Sequence, residues 1–80
     1  MIPLYGFLEG DTIGLLVLAD GDDSIAELAR KLQAAARLRA AIEGRVTVLY
    51  DGKPVNPTRT VSDVGMLPLA RFDVRRGPPE

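Results

Sequence analysis

The sequence predicts an α+β fold, a mixed sheet of four to five strands wrapped around one helix. Three observations carry this. Apolar segments of strand length and composition fall on both sides of one helical segment, in the order strand, strand, helix, strand, strand, short helical turn, strand. That helical segment places Ile25, Leu28, Ala29, Leu32 and Ala36 at i, i+3, i+4, i+7 and i+11, one face of a helix. The chain has 80 residues, 46% of them hydrophobic, and a net charge of −1, which leaves room for one core and excludes intrinsic disorder.

Met1 to Leu8 and Thr12 to Ala19 read as two strands of a hairpin. Glu9-Gly10-Asp11 turns between them, Gly10 tolerating a positive φ. Asp20-Gly21-Asp22-Asp23 breaks the second strand, and Ser24-Ile25-Ala26-Glu27 fits a capping box that starts the helix. Arg37 to Glu43 either prolongs that helix or forms a loop ending at Gly44. Arg45 to Tyr50 alternates as a third strand, Asp51-Gly52 is a hairpin turn, and Lys53 to Val55 is a short fourth strand. Pro54 and Pro57 make that strand brief or peripheral. Thr60 to Gly65 is a helical turn started by Thr60 or Ser62, and Ala70 to Arg76 is the last strand. The domain is expected to span 1–76, with 77–80 (Gly77-Pro78-Pro79-Glu80) a frayed tail.

Composition removes most chemistries. With no cysteine and no histidine, thiol catalysis, disulfides and the commonest metal ligand and general base are absent. Ser24 and Ser62, the only serines, lack an activating base and read as caps. A calcium loop starting at Asp20 needs Gly and Glu where Ile25 and Lys31 stand. Gly6, Gly10 and Gly14 are followed by no helix that would hold a phosphate. No active site, cofactor or metal site is expected. Residues 1–29 carry six acids and no base, and residues 30–80 carry ten bases and five acids. A pI near 5.3 argues against a nucleic-acid partner, and no apolar run approaches membrane-spanning length. No signal peptide is visible, so the expected location is cytoplasmic.

Gly52-Lys53, Arg59-Thr60 and Ser62-Asp63, in register through Phe72 and Val74, together with Leu8, Gly10, Thr12-Ile13, Leu15 and Val17, resemble ubiquitin and its β-grasp relatives. The resemblance implies a ubiquitin-like β-grasp fold and a core of Ile13, Leu15, Val17, Ile25, Leu28, Leu32, Val48, Tyr50, Val55, Val61, Met66, Phe72 and Val74. It also aligns Leu8, Leu49, Asp73 and Arg75 with ubiquitin's main recognition patch. Two of those four are charged, so the usual ubiquitin readers are not expected to bind. The end, Arg75-Arg76-Gly77-Pro78-Pro79-Glu80, lacks the diglycine that conjugated modifiers and sulfur carriers activate, which argues against both roles.

With Ile13, Leu15 and Val17 inward, the period of two turns Gly14, Leu16 and Leu18 outward, and Ile2 and Leu4 are expected beside them. An apolar outer face of Ile2, Leu4, Leu16 and Leu18 reads as a surface covered by a partner or a second copy, the alternative being scattered surface leucines. Ile2-Pro3-Leu4-Tyr5-Gly6-Phe7, the acidic turn, the Leu/Val strand ending at Asp20 and the Asp23-Ser24 helix start resemble the small ubiquitin-like B subunits of bacterial toluene monooxygenase systems. The resemblance implies a non-catalytic accessory subunit docked on the large chain of a di-iron hydroxylase and holding none of its iron ligands. The alternative is a free-standing prokaryotic ubiquitin-like interaction module serving a secretion or signalling complex.

Overall fold

The computed structural model describes residues 1–11, 13–36 and 45–77. Its elements follow the predicted order: β1 (Ile2–Leu8), β2 (Leu15–Ala19), α1 (Ile25–Ala36), β3 (Val46–Tyr50), β4 (Lys53–Val55), α2 (Val61–Val64) and β5 (Arg71–Arg76). The strands form one sheet in the order β2-β1-β5-β3-β4. β1 and β5 run parallel at its centre, and every other pair is antiparallel. The hairpins β1–β2 and β3–β4 therefore lie on either side of β5, and α1 packs across the inner face. Thr12, residues 37–44 and 78–80 fall outside the described residues, as do the readings made for them.

Local chemistry sets the boundaries. Ser24 Oγ accepts the Glu27 N–H at 3.1 Å, which satisfies one free donor at the start of α1. The Glu27 carboxylate pairs with Arg30 one turn on, so the reciprocal half of the expected capping box gives way to an ion pair along the helix. In α2 Thr60, not Ser62, is the cap, with both halves of its box formed by Asp63, and Gly65 closes the turn at φ 83°. Asp51 and Gly52 both take positive φ, the signature of the tight turn that joins β3 to β4. Gly77 is held rather than frayed, because its N–H donates to Arg45 O at 2.9 Å and its carbonyl accepts from Thr47 Oγ1 at 2.6 Å.

Ile25, Leu28, Ala29, Leu32 and Ala36 of α1 are all buried, against Val17, Val48, Val61, Met66, Phe72 and Val74. Leu15, Tyr50 and Val55 are half-buried and pack on this cluster. Two expectations fail. Ile13 is 53% exposed, because the β1–β2 ladder ends at the Gly6–Leu15 pair and the alternation has no sheet to act on beyond it. Leu4 is wholly buried and Ile2 packs against the core, so neither belongs to the outer face. The register gives the reason. Leu4 stands opposite Val17 and Ile2 opposite Ala19, and directly opposed residues share a face of the sheet.

The inward phase of β1 also explains Gly6. A Cβ there would lie 2.7 Å from Phe72 Cζ and under 3 Å from both Leu32 methyls. Gly6→Ala is expected to lower stability by about 1–3 kcal/mol through overpacking, measured as the urea midpoint at unchanged m-value.

Candidate partner interface

The outward residues of the edge hairpin form an apolar surface. Tyr5 stands opposite Leu16 and Pro3 opposite Leu18, so these four share the outer face. Leu16 is 54% and Leu18 52% exposed, and Tyr5 is 43% exposed. Leu69 follows at the foot of the patch, its N–H donating to Pro3 O at 2.6 Å, with its own side chain exposed and its φ at 67°. A positive φ at a leucine is uncommon and costs roughly 1 kcal/mol or more. Two predicted members of the patch, Leu16 and Leu18, are thus where expected, and Ile2 and Leu4 are replaced by Pro3 and Tyr5. The signal that could have found them is the aromatic content of the odd-numbered positions, with Gly6 at an even one.

Phe7 closes the patch on the β5 side. Its ring lies over Gly14, where a Cβ would be 2.5 Å from Phe7 Cζ, and the Arg71 guanidinium sits 4.0 Å from the ring centroid. Arg71 Nε also donates to Asp73 Oδ1 at 3.1 Å. The outer face therefore changes from apolar to charged across one strand. Beyond that pair lies a shallow groove of about 410 Å³ lined by Leu49, Tyr50, Asp51, Gly52, Ala70, Arg71 and Asp73. Leu8 is buried, so the position aligned with ubiquitin's recognition patch is missing from this surface. Among the described residues no group of three or more His, Cys, Asp or Glu could hold a metal ion, and no helix is long and apolar enough to cross a membrane.

Lys31 ties α1 to the edge strand. Its Nζ donates to Asp23 Oδ2 at 2.6 Å and to Leu18 O at 3.3 Å. The Lys31 hydrogen bond, followed by the Asp20 N–H, holds the Asp23 carboxyl below its usual value, and Asp23 in turn raises Lys31. A lowered acid contributes stability that is full above its unfolded pKa of 3.8 and disappears as pH falls through the folded value. The raised lysine contributes below its unfolded value of 10.5 and loses that contribution as pH climbs through the folded one. Asp23→Asn is accordingly expected to be less stable than the parent at neutral pH and to converge with it as the pH is lowered through the folded-state value, read from urea midpoints at each pH.

A sheet grasping one helix, with an uncovered apolar face on its edge hairpin, defines a ubiquitin-like domain whose available feature is a contact surface. Its sequence family is equally definite. The model of the toluene-4-monooxygenase system protein B (TmoB) family matches residues 1–75, and the chain belongs to that family. In structure it is similar to a chain of the toluene 4-monooxygenase HD complex with the inhibitor 4-bromobenzoate. The TM-score is 0.83 at 26% identity, covering 91% of this chain and 94% of that one. Caldiarchaeum subterraneum ubiquitin shares the fold at TM-score 0.77 and 13% identity, covering 99% of this chain and 98% of that one. Among curated proteins no sequence matches.

Proposed function

We propose that the chain is a non-catalytic accessory subunit of a toluene-type monooxygenase, docked on the large hydroxylase chain through the outer face of its edge hairpin. The observation that carries this is the exposed Tyr5, Leu16 and Leu18 surface on a member of the system protein B family. A soluble monomer rarely leaves contiguous apolar surface open without a use for it. The role is architectural, played in the cytoplasm beside the enzyme by the unit spanning 1–76. Mixing the purified chain with the large chain of the monooxygenase from the same source tests this. Co-elution as a stoichiometric complex on size exclusion is expected, and separate elution at micromolar concentrations of both would sink the reading.

A further inference from the structure

We propose that the free edge of β2 takes up an extended segment of the larger partner as a sixth strand, so that the partner is held by backbone hydrogen bonds as well as by apolar contact. This rests on the docking reading above and names the part of the partner that docks.

The argument starts at Pro3. Proline has no N–H, and Pro3 stands opposite Leu18, so this pair cannot be a hydrogen-bonded pair of the antiparallel ladder. The backbone around it agrees. Pro3 O accepts the Leu69 N–H at 2.6 Å and the Tyr5 N–H donates to Ala70 O at 2.9 Å, so both residues direct these groups toward the β5 side. Hydrogen-bonded and open pairs alternate along an antiparallel ladder. Leu4–Val17 is therefore a bonded pair, while Pro3–Leu18 and Tyr5–Leu16 are open ones. It follows that Leu16 and Leu18 point their N–H and C=O groups away from β1, along the free edge. Lys31 Nζ, reaching Leu18 O from outside the sheet, is what this phase requires. Leu16 N–H, Leu16 C=O and Leu18 N–H have no hydrogen-bond partner among the described residues.

The two edges of the sheet differ in a telling way. Proteins blunt exposed edges with short strands, proline and lysine. β4 has all three, being Lys53-Pro54-Val55. β2 has none within its five residues, Leu15–Ala19, and exposes two leucines beside the open backbone groups. One edge is closed to strand addition and the other is left available.

Charge selects the occupant. Six acids and no base lie in residues 1–29, and Asp20 and Asp22 stand exposed at the end of β2. A second copy paired antiparallel about Val17 would set Gly14 opposite Asp20 and bring no base to it. A foreign segment can supply one. The edge fits an extended stretch of about five residues with alternate apolar side chains, which would lie beside Leu16 and Leu18, and a lysine or arginine near Asp20.

Leu16→Pro measured against Leu16→Ala isolates the backbone contribution, because Leu16 N–H makes no bond to β1 and both variants shorten the side chain while keeping it apolar. Proline is tolerated on an edge strand whose N–H faces outward. The probe is the large hydroxylase chain. The expected result is a folded variant whose affinity for it falls about tenfold or more below that of Leu16→Ala. In the parent, exchange at the Leu16 and Leu18 amides should slow by about a hundredfold or more when the large chain is added. Should Leu16→Pro fail to fold, the amide exchange decides alone. An affinity equal to that of Leu16→Ala and unprotected amides, with Leu16→Glu/Leu18→Glu still unable to bind, would overturn strand addition and leave face docking standing. If Leu16→Pro and Leu16→Glu/Leu18→Glu both bind like the parent, docking at this hairpin is wrong altogether. Concentration-dependent dimerisation of the isolated chain, abolished by Leu16→Pro, would make a second copy the occupant and overturn the proposal.

Discussion

Leu16→Glu combined with Leu18→Glu is expected to leave the isolated chain folded and to weaken its association with the large hydroxylase chain by about a hundredfold or more. Both side chains are more than half exposed, and their directly opposed neighbours in β1 are Tyr5 and Pro3, not core residues. Exposed substitutions away from caps and strain change stability by about 0.5 kcal/mol or less. In a domain this small, two such changes shift the melting temperature by at most about 4–8 °C. At the interface the arithmetic is different. Full burial of a leucine contributes about 1.5–3 kcal/mol, and both contributions are lost. Two carboxylates must then be stripped of water against an apolar partner surface, which adds a further cost. Titration calorimetry and a melting curve on the same preparation separate the two effects. Parent-like affinity would remove the outer hairpin face from the docking surface.

How much of this was legible in the sequence depends on which residues had only one reading. The start and the inner face of α1 were readable, because Ile25, Leu28, Ala29, Leu32 and Ala36 form one stripe and Arg30 and Lys31 another, leaving a single orientation. The turn at Asp51-Gly52 and the helical turn ended by Gly65 were readable for the same reason, since positive φ at those positions selects the residue type. β1 was different. In Ile2-Pro3-Leu4-Tyr5-Gly6-Phe7-Leu8 both alternate sets are apolar, so composition cannot tell inside from outside. The choice is made by volume. Phe72 and Leu32 fill the space in front of Gly6, and the rings of Tyr5 and Phe7 have to go to the other face.

Ile13 shows a second limit. Its place in the alternation was right for a longer strand, but the last ladder pair is Gly6 with Leu15, and the Ile13 N–H turns to Asp11 Oδ1 at 3.4 Å instead. Strand length depends on where the partner strand stops pairing, which a single strand does not encode. Leu69 belongs to the same class. Nothing local calls for positive φ at a leucine, and the conformation is held by long-range bonding, its N–H to Pro3 O and the Tyr5 N–H to Ala70 O. Pro3 was visible throughout. Its meaning, the phase of the β1–β2 ladder, exists only once Leu18 is known to stand opposite.

The inversion of β1 makes Leu4 the position where the structure is most exposed to refutation. Leu4→Ala is expected to destabilise the fold by about 2–5 kcal/mol. The side chain is fully buried, pairs across to Val17 and belongs to the same cluster as Phe72 and the inner face of α1. Removing three carbons there leaves a cavity between sheet and helix that neither can close without moving the other. A domain of 80 residues has a total stability of roughly 4–12 kcal/mol, so the loss takes a large fraction of it. The melting temperature should fall by about 10 °C or more. Leu16→Ala, one strand away and the same chemical change, should move it by no more than a few degrees. Binding should show the opposite order. Where Leu4→Ala is still folded it should bind the large chain as the parent does, because no part of Leu4 reaches the surface, whereas Leu16→Ala should weaken the complex. A reversed outcome, with Leu4→Ala as stable as the parent but impaired in binding, would mean that β1 turns its even-numbered residues outward and that the apolar face is the one composed of Ile2 and Leu4.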